Sequence, residues 1–237
     1  VLPSEGYIAE FVSPIDPSAI HTVRRFARRQ LAEKLSDVFD QVYVANQQSG
    51  PYAIDQDSMA QRSLKNCALS YLMELEDPAT ESRCMQQFRD ANNMTDVIAA
   101  LGSVVNSNSA YKEEALAEFY DEWKGDALVV DKWLAIQASS QSEDTLEKVK
   151  ALTKHEAFNI KNPNKVRSLI GAFAHGNPVR FHDISGAGYE FLTEYVVELD
   201  RLNPQISSRL VGAFTLWKRY DETRQSLMRK QLERIIE

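Results

Sequence analysis

Four histidines, two cysteines and a few placed arginines are the residues with which this 237-residue chain could do chemistry. The histidines are His21, His155, His175 and His182. A zinc-peptidase helix uses His-Glu-x-x-His, because positions i and i+4 set two imidazoles on one face with Glu as the base. The chain offers His155-Glu156-Ala157-Phe158-Asn159, with Asn159 where the second ligand belongs. That is a near miss, and His155 reads as a partly exposed loop residue. His175 and His182 flank Asn177-Pro178, which favours a turn over one shared helix face. Cys67 and Cys84 lack metal-ligand spacing and read as buried free thiols of a reducing cytosol. No Gly-x-Ser-x-Gly, phosphate-cradling glycine loop, dinucleotide fingerprint or Cys-x-x-Cys occurs. The expectation is a chain with no catalytic centre, metal or cofactor of its own.

What it does carry is placed positive charge. A twelve-residue phrase occurs twice, from Asn162-Pro163 to Gly171-Ala172-Phe173 and from Asn203-Pro204 to Gly212-Ala213-Phe214, 41 residues apart. Arg167 follows Pro163 by four residues and Arg209 follows Pro204 by five, so the arginines are 42 apart and slip against the packing register. Each falls in the second turn of a capped helix. Guanidinium groups grip carboxylates bidentately, and two of them on one wall could receive a peptide's C-terminal carboxylate. The plainer alternative is that both make salt bridges to neighbouring Asp or Glu. Trp123, Trp133 and Trp217 sit among Leu, Val and Ala and read as packing residues rather than ligand platforms.

The elements that must position these groups are helices. Periods of roughly 40 to 47 residues belong to HEAT and armadillo arrays. Five Asp-Pro or Asn-Pro pairs punctuate the chain, at Asp16, Asp77, Asn162, Asn177 and Asn203. Asp or Asn caps orphan N–H groups, and Pro at the first helical position lacks the N–H that would go unpaired. Helix-period patterns predict helices over 17–44 with a break near Leu35-Ser36-Asp37, from an Asp57 cap to Glu76, and over 78–91. Others are predicted from Thr95 or Asn93 through Val105, over 110–124, 126–137, 143–152, 188–202 and 222–236, and from Asn162 and Asn203. In the Asp57 helix, Leu64, Ala68, Tyr71, Leu72 and Leu75 form the expected apolar face. The predicted fold is all-α, a right-handed α-solenoid of stacked antiparallel helix pairs, as one domain over residues 1–237.

Charge narrows the partners. With 27 Lys+Arg against 34 Asp+Glu, the net charge is −7, which argues against nucleic acid or an anionic membrane. Arg24, Arg25, Arg28 and Arg29 have the spacing of one solvated helix face. No apolar run approaches the ~20 residues of a membrane span. The first residue is Val1, and the chain is expected to be a segment cut from something longer.

An ordered set of words runs along nearly the whole chain: Leu2-Pro3-Ser4-Glu5, Tyr43-Val44-Ala45-Asn46, Asn93-Met94-Thr95-Asp96, Asp131-Lys132-Trp133, both copies of the repeated phrase, and Lys218-Arg219-Tyr220-Asp221. In these words the chain resembles the C-terminal helical domain of bacterial aminopeptidase N enzymes. The resemblance implies a cytoplasmic zinc aminopeptidase that removes N-terminal residues from peptides. Its zinc helix and its Gly-x-Met-Glu-Asn segment would lie in an upstream catalytic domain, and neither motif is present here. It further implies that this segment covers the active-site cavity, that Arg167 and Arg209 face the distal end of the peptide, and that Gln205 approaches the pocket for the first side chain. The rival reading is a free-standing helical-repeat scaffold that binds partner proteins.

Overall fold

The computed structural model describes residues 2–48 and 50–237. Its elements are α1 (Glu5–Ala9), α2 (Pro17–Lys34), α3 (Ser36–Ala45), α4 (Gln56–Leu72), α5 (Pro78–Asp90), α6 (Met94–Val105), α7 (Lys112–Trp123) and α8 (Ala127–Ala138). They continue as α9 (Thr145–Leu152), α10 (Pro163–Val166), α11 (Ala172–Gly176), α12 (Pro178–Phe181), α13 (Ala187–Leu202), α14 (Pro204–Val211) and α15 (Glu222–Ile236). Among the described residues there is no strand, only an isolated bridge between Ile15 and Tyr220. The all-α expectation holds.

All five Asp/Asn-Pro pairs cap helices. Asp16 accepts from the backbone N–H of Ser18 and Ala19, Asp77 from Thr80, Asn162 from Asn164, Asn177 from Arg180 and Asn203 from Ile206. The signal is local, so it was readable from sequence. Two details differ from the expectation. The cap of α4 is Asp55, which accepts from Ser58 N at 2.9 Å, so the helix begins two residues early. Leu64, assigned to its apolar face, is 54% exposed, and Arg62 and Lys65 are buried instead.

The helices gather into two compact units. The first is Leu2 with Val23–Glu122. Here α3 packs on α4, α5 on α6 and α4 on α6. Leu69, Leu72, Met85, Phe88, Leu101, Val104 and Phe119 fill its core. Arg28 departs from the solvated-face reading. Its Nε donates to Glu74 at 2.6 Å, and its guanidinium lies 4.6 Å above the Tyr71 ring. Of the two free cysteines Cys84 is buried, its thiol pushed up to about 12 by burial, whereas Cys67 is only half-buried.

The second unit is Pro3–Thr22 with Trp123–Glu237. In it α8 packs on α9 and on the turn after α10, and α13 packs on both α14 and α15. The repeated phenylalanines, Phe173 and Phe214, join Phe181, Tyr189 and Phe191 in an aromatic core whose pairs meet edge-to-face, apart from the tilted Phe181–Phe214 pair. Gly188 lets α13 approach α12. A Cβ there would stand 2.4 Å from the carbonyl oxygen of Phe181.

Candidate functional site

The second unit holds all three residues singled out for binding. In the first copy of the phrase, Asn162 and Pro163 open α10, and residues Arg167–Gly171 then widen into a π-helical turn. Such turns are rare and recur at functional positions. Arg167 is its first residue and is exposed. Its Nη2 donates to Asn164 Oδ1 at 2.9 Å, one turn back. The second copy keeps α-helical geometry to Val211 and then tightens into a 3₁₀ turn over Gly212–Phe214. The two copies share words but not backbone.

On α14, Gln205 and Arg209 are four residues apart and share one face, and both are exposed. Neither makes a hydrogen bond or ion pair among the described residues. The salt-bridge alternative is therefore absent at Arg209, and Arg167 holds only a neutral carboxamide. A Cβ on Gly212 would meet His175 Cε1 at 3.7 Å, so the second copy's glycine faces α11 just beyond the end of the first copy.

Below this surface lies a layer that sequence reading missed. Lys165, two residues before Arg167, is buried and pairs with Asp131 of α8 at 2.9 Å while donating to the Ala127 carbonyl at 2.9 Å. The first copy's helix is thereby bolted to α8. Asp131 belongs to one of the words carrying the resemblance, and that was the available signal. The same holds for Tyr220 and Asp221. The Tyr220 hydroxyl lies 3.0 Å from His182 Nε2, and Tyr189 Oη lies 2.9 Å from Nδ1. Arg224 donates to the His182 carbonyl at 2.6 Å and to Asp221 at 2.6 Å. Burial, helped by the Arg224 charge, lowers the His182 imidazole to about 3. It is a neutral hydrogen-bonding strut between two tyrosines.

His155 sits in the turn after α9, where its Nδ1 accepts from Ala157 N at 3.1 Å, and its ring lies 5.3 Å from that of buried Trp133. The i, i+4 geometry of a helical metal motif does not exist there. Among the described residues no group of three His, Cys, Asp or Glu could hold a metal ion. Trp123 and Trp217 are half-buried, and Lys218 lies 5.4 Å over the Trp217 ring.

Comparison with known proteins adds a family and relatives. Residues 1–237 match the family described as "Domain of unknown function (DUF3458_C) ARM repeats". Aminopeptidase N of Escherichia coli (strain K12) is 42% identical over 234 residues, covering 99% of this chain and 27% of that protein. Aminopeptidase N of Haemophilus influenzae (strain ATCC 51907 / DSM 11121 / KW20 / Rd) is 38% identical over 234 residues, with the same coverage of 99% and 27%. The crystal structure of Legionella pneumophila aminopeptidase A in complex with aspartic acid superposes with a TM-score of 0.91 at 33% identity, over 99% of this chain and 28% of that one. The chain thus spans 27% of the length of the curated relatives it matches.

Proposed function

This chain belongs to the ARM-repeat family described as DUF3458_C, and from that membership we propose that it is the C-terminal helical domain of a zinc-dependent aminopeptidase. The whole enzyme removes N-terminal residues from peptides. The zinc and the bond-breaking groups belong to a catalytic domain upstream in the same protein. The residues present here do not fit a zinc centre, since the His155 turn offers Asn159 in place of a second imidazole. No chemical step is assigned to them. The match to one portion of several aminopeptidases supports this reading over the free-standing scaffold.

The role of this chain is to cover the active-site cavity, exclude bulk water and orient the peptide. The observation that carries it is the pair of exposed guanidinium groups, Arg167 and Arg209, neither neutralised by a carboxylate among the described residues. In our reading they hold the C-terminal carboxylate of a short peptide, and Gln205 approaches the pocket for its first side chain. We take residues 1–237 as one helical domain of that enzyme, acting in the cytoplasm. The free thiols of Cys67 and Cys84 suit a reducing compartment, and no described helix is long and apolar enough to cross a membrane.

The test is steady-state kinetics on the full-length enzyme with matched dipeptides, one ending in a carboxylate and one in an amide. Arg167→Ala and Arg209→Ala should each raise KM for the acid about tenfold, the scale of one lost charge-assisted contact. KM for the amide should stay unchanged. Equal effects on both substrates overturn the assignment of the arginines.

A further inference from the structure

The first unit holds a cavity of about 410 Å³, open to solvent on one side, between the residues that follow α3 and the junction of α5 with α6. That size lies in the range of small-molecule sites, roughly 300–1,000 Å³. Its lining contains two buried side chains with unmet hydrogen-bonding capacity. Lys65 is 4% exposed and its Nζ meets a single acceptor among the described residues, Asp96 Oδ2 at 2.6 Å. An ammonium carries three N–H donors, so two have no acceptor. Gln87 is 7% exposed. Its Nε2 donates to Asn66 Oδ1 at 2.8 Å and to the Asp96 carbonyl at 3.1 Å, which fixes the amide's orientation, and its Oε1 has no partner among the described residues. Buried polar groups left unmade are costly, so two on one cavity wall call for an occupant.

The charges around the cavity say which kind. Asp96 takes hydrogen bonds from Lys65, Asn66 and Asn93. Burial alone would raise its pKa, yet these donors hold it below the ordinary carboxylate value. Arg83 is bound to Asp40, with its guanidinium over the Tyr43 ring. Both cations of the lining are thus spent on carboxylates. The charged group left over is exposed Asp90, which makes no ion pair or hydrogen bond among the described residues. An anionic ligand would find no free cation and would be repelled by Asp90. A cationic ligand would meet the Lys65 ammonium. A hydroxyl both accepts and donates. It can accept a hydrogen bond from Lys65 Nζ and donate one to Gln87 Oε1, while a neighbouring hydroxyl donates to Asp90.

We propose that this cavity is a binding site for a small uncharged polyhydroxy compound, a sugar or polyol with vicinal hydroxyls. Its test is a titration of the ¹⁵N-labelled 237-residue chain with glucose, trehalose and myo-inositol, followed through the backbone amides of residues 90–96. The expected result is a saturable response to at least one of them. Asp90→Ala, an exposed change that leaves the thermal midpoint in place, should weaken that binding about tenfold, as for a lost hydrogen bond to a charged group. Glycine as a zwitterion and inorganic phosphate should not saturate. A cavity holding only ordered water gives no saturable response to any of the three polyols, and that overturns the proposal. Tighter binding of glycine or phosphate, or unchanged affinity in Asp90→Ala, overturns it equally.

Discussion

The Lys165 ammonium lies 2.9 Å from the Asp131 carboxylate, with the two side chains 9% and 15% exposed. The pair joins the first copy of the repeated phrase to α8 from 34 residues away. Removing one partner of such a pair leaves an uncompensated buried charge, which costs about 3–5 kcal/mol. Lys165→Met should lower the unfolding free energy obtained from urea denaturation by that amount, and the double change Lys165→Met/Asp131→Leu should recover most of it. A single mutant as stable as the wild type would show that the pair is not what holds α10 to α8.

Gly188 is predicted to tolerate no side chain. A methyl group there must displace the Phe181 backbone, because the clashing atom is a carbonyl oxygen 2.4 Å away. Overpacking of this kind costs about 1–3 kcal/mol, and backbone clashes fall at the upper end. Gly188→Ala should show that loss in chemical denaturation, whereas Gly102→Ala, where nothing lies within 4 Å, should be neutral or stabilising as a helix-interior change.

The His182 strut makes stability depend on pH in a defined direction. Its folded-state value of about 3 is depressed from the ordinary 6.5 by burial and by the Arg224 charge. Above pH ~6.5 both folded and unfolded states are neutral at this residue and its contribution is intact. Between ~6.5 and ~3 the unfolded chain binds a proton that the folded chain refuses. Stability then falls by up to about 1.4 kcal/mol per pH unit from this group. Denaturant titrations from pH 7 to pH 4 should show that slope in the wild type and lose it in His182→Gln, which keeps hydrogen bonding but does not titrate.

Arg209 and Arg224 should behave oppositely despite being the same residue type. Arg209 is exposed and without a partner among the described residues, so Arg209→Ala should change stability by no more than about 0.5 kcal/mol. Arg224 is 4% exposed and binds the His182 carbonyl, Asp221 and Ser18. Arg224→Ala should cost about 3 kcal/mol or more, since it strands a carboxylate and a buried carbonyl. Thermal melts of the two variants side by side check the contrast.

Much of the helix pattern was legible because its determinants are local. Asp16, Asp77, Asn162, Asn177 and Asn203 each satisfy an N–H two or three residues away, and Pro at the next position reinforces the start. The α4 start was misplaced because Asp55 and Asp57 are equally good caps, and only the Asp55 bond to Ser58 chose between them. The candidate binding residues were legible as types in a register, and Arg28 shows why type and register are not enough. Its spacing matched a solvated face, yet Glu74, 46 residues away, draws it inward.

By itself, then, the sequence determined that this protein is helical, where most helices begin, and which words tie it to its family. Tertiary structure decided what those words do. Two copies of Gly-Ala-Phe became the end of a π-turn in one place and a 3₁₀ turn in the other. Lys165 was buried while Arg167, two residues on, was left in solvent. Caps are settled by neighbours along the chain. Burial and pairing are settled by neighbours across space, and only the packing of one helix on another brings those into range.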